Sequence, residues 1–122
     1  MKKYIIIFLL AFTALVFIGQ QKGVHTVEVV EFQKFTTLSS KHLLDVRTPQ
    51  EYQQGHIEGA VNIDYFSKSF KTELEKLDKT VPVYLYCRSG GRATKAMQIM
   101  KEMGFETIYN LKGGFLAWDQ KK

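Results

Sequence analysis

The sequence predicts an α/β domain built on a central, mainly parallel five-stranded sheet. Short strand-like runs alternate with helical patterns across short connections, which is the signature of parallel βα units. One run, Val81 to Tyr86, is almost continuously apolar and rich in β-branched and aromatic side chains, as a strand buried on both faces requires.

In chain order, Val27 to Val30 reads as the first strand, followed by a short helical stretch at Glu31 to Phe35. Leu43 to Val46 is the second strand. A helix then opens at Thr48-Pro49-Gln50-Glu51, with Thr48 as N-cap, Pro49 at the first helical position and Glu51 completing a capping box; Gly55 ends it. Ala60 to Ile63 is the third strand, and Phe66 to Leu77 a helix with Phe70, Leu74 and Leu77 on one face. After the fourth strand, Val81 to Tyr86, the residues Ala93, Ala96, Met97, Met100 and Met103 recur at helical spacing, with the methionines as core packing and Gly104 as a left-handed stop. Thr107 to Leu111 is the fifth strand, and Gly113-Gly114 turns into a short helix carrying Phe115, Leu116 and Trp118. At 122 residues and 45% hydrophobic, with no internal repeat, the chain has room for one core and not two.

The first twenty residues stand apart. Met1-Lys2-Lys3 is a short basic start, and Tyr4 to Ile18 is apolar apart from Thr13, the layout of a secretory signal. As a helix this run would reach only ~22 Å, short of a ~30 Å hydrocarbon core, so export is favoured over permanent spanning. No Ala-x-Ala site follows, which leaves an uncleaved N-terminal anchor as the alternative; any membrane contact is expected through this segment alone. The expected location is outside the cytoplasm, the periplasm if the source is bacterial. The net charge of +5 falls to +3 when Lys2 and Lys3 leave with the leader. That excess suits small anions, whereas nucleic-acid binding calls for a denser basic stripe with exposed aromatics, which is absent; Lys121 and Lys122 read as a solvated tail. The histidines His25, His42 and His56 form no ligand spacing with one another or with Cys87, so neither a metal nor another cofactor is expected.

Cys87, the only cysteine, opens the stretch Cys87-Arg88-Ser89-Gly90-Gly91-Arg92 between the fourth strand and the helix after it. This puts it at the carboxyl end of a strand, where open α/β sheets bind ligands, with its sulfur facing free N–H groups at a helix start. Gly90 and Gly91 let successive N–H groups converge, and Arg88 and Arg92 add positive charge. Both effects favour thiolate over thiol. A lone cysteine also packs as a small hydrophobe, but two arginines and two glycines beside it make an anion cradle rather than packing material. A single cysteine forms no internal disulfide, and one retained in an exported chain argues for chemistry.

Three segments together resemble the rhodanese-like family of sulfurtransferases: Leu44-Asp45-Val46-Arg47-Thr48-Pro49-Gln50-Glu51-Tyr52 continuing through Gly55-His56-Ile57-Glu58-Gly59-Ala60-Val61-Asn62-Ile63, the Cys87 to Arg92 loop, and Gly113-Gly114-Phe115-Leu116-Ala117-Trp118. The resemblance implies a three-layer α/β/α domain over 24–122. It implies that Cys87 takes a sulfur atom from a small anionic donor such as thiosulfate, holds it as a persulfide, and passes it to a thiol or cyanide acceptor. N–H groups from Ser89 to Arg92 would stabilise the terminal sulfur, and Arg88 and Arg92 would orient the donor, with Arg92 closing the cradle. The upstream segment reads as architectural. Arg47 and Glu51 are expected to form an ion pair that fixes the loop, Asp45 to hold backbone or Arg47 groups, and His56 to be a hydrogen-bonded structural histidine. Phe115 and Trp118 are expected in the core, with Gly113 and Gly114 letting the chain pass close to the loop. The protein is expected to act as a monomer.

Two rivals remain open. Dual-specificity phosphatases of the cell-cycle type resemble rhodanese in fold but use a longer cysteine-to-arginine loop, whereas four residues separate Cys87 from Arg92 here. A non-catalytic sulfur-binding or protein-interaction module is the other. A general redox thiol protein is disfavoured by the lack of a resolving cysteine.

Overall fold

A computed structural model of the chain describes residues 21–38 and 41–120. The leader and the Lys121-Lys122 tail lie outside the described residues. The elements run β1 (Gly23–Val27), α1 (Val29–Thr36), β2 (His42–Asp45), α2 (Pro49–Gln53), β3 (Val61–Asn62), α3 (Phe70–Glu75), β4 (Val83–Tyr86), α4 (Gly91–Glu102), β5 (Thr107–Leu111) and α5 (Gly114–Gln120). The five strands form one sheet in the order β1-β5-β4-β2-β3, and every adjacent pair is parallel.

Alternation along the central strands builds two cores. Val83 and Leu85 of β4 face one side, where they pack with Leu44, Ile108, Phe70 and Leu74 of α3, and Ala93, Ala96, Met97 and Met100 of α4. Tyr84 and Tyr86 face the other side, against Val29 and Phe32 of α1, Tyr52 of α2, and Phe115 and Trp118 of α5. The result is a three-layer α/β/α arrangement, with β4 and β5 buried along their whole length. From β2 the chain moves outward to β3, and from β4 it moves the opposite way to β5. The carboxyl ends of β2 and β4 therefore flank the switch point at which open α/β sheets bind ligands.

The expected elements are all present, with displaced edges; the fourth strand begins at Val83 and not at Val81. The first strand is Gly23–Val27, because its register is set by pairing Val24 with Ile108 and Val27 with Leu111; Val29 and Val30 instead begin α1. Val29 and Phe32, one helical turn apart, are buried while Val30 is 52% exposed, a pattern that a strand buried on both faces cannot give. The helix expected from Phe66 begins at Phe70, since Asp64 Oδ1 accepts the Phe66 N–H and Ser67 Oγ the Ser69 N–H, offering the backbone a turn instead. The third strand shrinks to Val61–Asn62 at the sheet edge. Elsewhere the local signals hold. Thr48 and Glu51 form the capping box, and Gly104, at φ +99°, ends α4 with the Phe105 N–H on the Met100 carbonyl.

The last helix reaches back to the loop after β4. The Phe115 N–H donates to the Cys87 carbonyl at 2.8 Å and the Leu116 N–H to that of Arg88 at 3.1 Å. Gly114 has φ +60°, and a Cβ there would stand 2.5 Å from the Cys87 oxygen and 2.6 Å from the Arg88 carbonyl carbon. Gly91, by contrast, has open space where a Cβ would go and no positive φ. Gly114→Ala is accordingly expected to lower the unfolding free energy by ~2–4 kcal/mol in urea titrations, and Gly91→Ala to change it by less than ~1 kcal/mol.

Candidate functional site

Cys87 leaves β4 at the switch point, and the loop returns into α4 at Gly91. The residue is 1% exposed, and its Sγ accepts the Gly90 N–H at 3.0 Å. Gly90 supports that turn with φ +121°, a conformation that disfavours side chains. No side chain caps α4, so its first-turn N–H groups are left to the loop. Arg88, Ser89 and Gly91 are exposed; Gly90 and Arg92 are partly buried.

The two ion pairs beside the loop differ from the expected Arg47–Glu51 pair. Asp45 and Arg47, two residues apart at the end of β2, lie close enough for a direct fork. Nε of Arg47 donates to both Asp45 oxygens at 3.0 and 3.1 Å, Nη2 donates to Oδ2 at 2.7 Å, and the Arg47 N–H donates to Oδ1 at 2.9 Å. Both side chains are buried. Nη2 also donates to the Gly55 carbonyl at 2.7 Å, and the guanidinium lies 4.4 Å from the centre of the Phe115 ring. The expectation that Asp45 holds backbone and Arg47 groups matches this geometry.

Glu51, on the first turn of α2, turns toward α4. Its Oε1 accepts from Arg92 Nη1 at 2.7 Å and Oε2 from Nη2 at 2.9 Å, while Oε1 also accepts from the Thr48 N–H and Oγ1. The Arg92 hydrogen bonds hold the Glu51 carboxyl at about 2, with Thr48 assisting and burial opposing. Arg92, expected to close the cradle over the donor, is thus tied to a carboxylate across the switch point and stands 5.6 Å from the ring of the exposed Phe66. Arg88 is the loop arginine with no carboxylate partner among the described residues.

His56 is the hydrogen-bonded histidine expected. Its Nδ1 lies 2.8 Å from the Tyr52 carbonyl oxygen and its ring stacks on Tyr52 at 3.7 Å. Among the described residues no cluster of three or more metal-ligating side chains occurs. Two supports escaped the sequence reading. Asn62 Nδ2 donates to the Asp45 and Arg47 carbonyls at 3.0 and 2.9 Å, and the buried Tyr86 hydroxyl accepts the Ile57 N–H at 3.0 Å. Both act between elements far apart in the chain, and the only available signal was the position of Asn62 and Ile57 inside the upstream segment.

The profile of the rhodanese-like domain matches residues 29–121. The protein YqhL of Bacillus subtilis is 41% identical over 106 residues, covering 86% of this chain and 80% of YqhL. Thiosulfate sulfurtransferase PspE of Escherichia coli is 35% identical over 75 residues, covering 62% of this chain and 72% of PspE. A solved structure of a rhodanese-related protein from Thermoplasma volcanium has a TM-score of 0.70 at 21% identity, covering 80% of this chain and 92% of that one, a likeness of fold.

The lowered Glu51 carboxyl makes the α2–α4 link pH-dependent. Its stabilisation is fully present above the unfolded value of 4.5 and is lost as pH falls toward about 2. Glu51→Gln is expected to cost ~1–2 kcal/mol at pH 7 after solvent screening, and the difference from wild type to shrink below pH 4.5, as read by urea titrations at several pH values. Arg47→Met strands the buried Asp45 carboxylate and is expected to cost ~3–5 kcal/mol in the same assay.

Proposed function

The chain belongs to the rhodanese-like domain family, whose members matched here include a named thiosulfate sulfurtransferase, and from that premise we propose that it transfers sulfane sulfur through a Cys87 persulfide. The observation that carries this reading is the placement of the sole cysteine after the central β4, with its Sγ on the Gly90 N–H at an uncapped helix start. In the first half-reaction the Cys87 thiolate attacks the outer sulfur of thiosulfate. The S–S bond of the donor breaks, its electron pair leaves with sulfite, and a Cys87–S–S⁻ persulfide remains. An acceptor thiolate or cyanide then attacks the terminal sulfur, carries it away, and returns the bonding pair to Cys87.

The cradle suits these steps. N–H groups of the Ser89 to Arg92 loop and the start of α4 stabilise negative sulfur as an oxyanion hole stabilises oxygen, and the exposed Arg88 attracts the donor. Gly90 and Gly91 leave open space at the mouth of the loop. The interval between Cys87 and Arg92 is four residues, and Arg92 already holds Glu51 rather than standing free to wrap a phosphoryl group, which favours sulfur over phosphoryl transfer. The proposal includes monomeric action and export through the segment 1–20, the latter checked by fractionating cells that produce the full chain.

Protein incubated with thiosulfate is expected to gain one sulfur atom by mass spectrometry and to form thiocyanate on adding cyanide, while Cys87→Ser does neither. Wild type that gains no sulfur and transfers no better than the variant overturns the reading; phosphate release from an aryl phosphate would point to the phosphatase alternative, and stable folding with no chemistry to the interaction module.

A further inference from the structure

Gln21, the first described residue, is already fastened to the fold. Its N–H donates to the Tyr109 hydroxyl at 3.2 Å, and its carbonyl oxygen lies 2.9 Å from Nε2 of His25, whose ring stacks on that of the buried Tyr109. Only Gly19 and Gln20 separate this fixed point from Ile18, the end of the apolar run. Three Cα steps reach ~10 Å at full extension, and the polar layer on each side of a bilayer is itself about 5–8 Å deep. The run is also too short for a full hydrocarbon core, which draws its flanks inward. No pair of small residues at the spacing of a cleavage site occurs between Phe17 and His25. A chain that keeps residues 1–20 therefore has no slack, and Gln21 comes to rest at the headgroups.

What Gln21 brings to the lipid is the amino edge of the sheet. The strands β1, β5, β4 and β2 start in register, with Val24, Ile108, Val83 and His42 side by side. Lys22 and Lys41, which precede β1 and β2, thus share one edge, and α1 ends there with Lys34 in its last turn and Leu38 just beyond. Lys22, Lys34 and Lys41 have no carboxylate partner among the described residues, whereas Lys76 and Lys79 are paired with Glu73 and Glu75. Leu38, between Lys34 and Lys41 in the chain, is 38% exposed. Among the described residues no helix is long and apolar enough to cross a membrane, so the domain rests on the surface. Cys87 follows β4 at the opposite edge.

From this we propose that residues 1–20 remain attached and that Lys22, Lys34, Leu38 and Lys41 form a face that docks on an anionic lipid surface, with the Cys87 loop turned toward the aqueous compartment. The proposal rests on the membrane reading of the leader and is independent of sulfur transfer. It extends membrane contact from the leader to the folded domain. Because the tether already holds the face at the lipid, modest attraction per lysine is enough to orient it.

The test reconstitutes the full chain in phosphatidylglycerol vesicles and in phosphatidylcholine vesicles. Lysines are labelled with a water-soluble acylating reagent and read by mass spectrometry, with Lys112, after β5 at the carboxyl edge, as internal reference. Relative to Lys112, Lys34 is expected to label about fivefold more slowly in the anionic vesicles than in the neutral ones. In Lys22→Glu/Lys41→Glu, two substitutions outside the helices and strands, that difference is expected to shrink to within about twofold. The chain recovered from membranes of producing cells is expected to keep residues 1–20 by mass. Equal labelling of Lys34 in the two lipids, protection that survives the double substitution, or a recovered chain lacking residues 1–20 overturns the proposal, and in each case sulfur loading at Cys87 is untouched.

Discussion

The carboxyl edge of this domain is organised around one buried ion pair. Asp45 and Arg47 form a buried fork at the end of β2, and the free reach of Arg47 extends to the Gly55 carbonyl and over the Phe115 ring. Asn62 clasps the carbonyls of the same two residues from β3. One guanidinium thereby fixes the exit of β2, the end of the α2 segment and the start of α5, and α5 in turn holds the Cys87 and Arg88 carbonyls. Burying two charges is expensive, and such a pair is a weak source of net stability. Its return here is positional, because every donor of the fork points at a group that shapes the site.

The electrostatics follow from the same economy. Of the three arginines near Cys87, two are spent on carboxylates, Arg47 within the edge of β2 and Arg92 across from α4 to α2. What remains to act on a ligand is Arg88 and the uncapped amide end of α4. An arrangement of this kind attracts an anion without gripping it, which suits the two-step sulfur transfer proposed above.

Much of this was legible because it is local. A strand-like apolar run followed by glycines and a helical repeat placed Cys87, and Thr48-Pro49-Gln50-Glu51 announced its own capping box; both features need only neighbours in the chain. The misplaced features are tertiary. Val27 to Val30 looks like a strand until the pairing with β5 claims Gly23–Val27 instead. Glu51 sits at a suitable interval from Arg47, yet Asp45 is nearer to Arg47 once β2 is extended, and Glu51 is released to meet an arginine forty-one residues away. Spacing constrains which ion pairs are reachable; packing chooses among them.

The dependence of the loop on α5 has a consequence for biosynthesis. Translation delivers Cys87 before Gly114, Phe115 and Leu116, the residues whose backbone clasps the carbonyls of Cys87 and Arg88. A nascent chain therefore carries its thiol well before it carries the seat for that thiol. The backbone seat of the loop is complete only when α5 docks, so a chain still being made lacks the clasp on the Cys87 and Arg88 carbonyls.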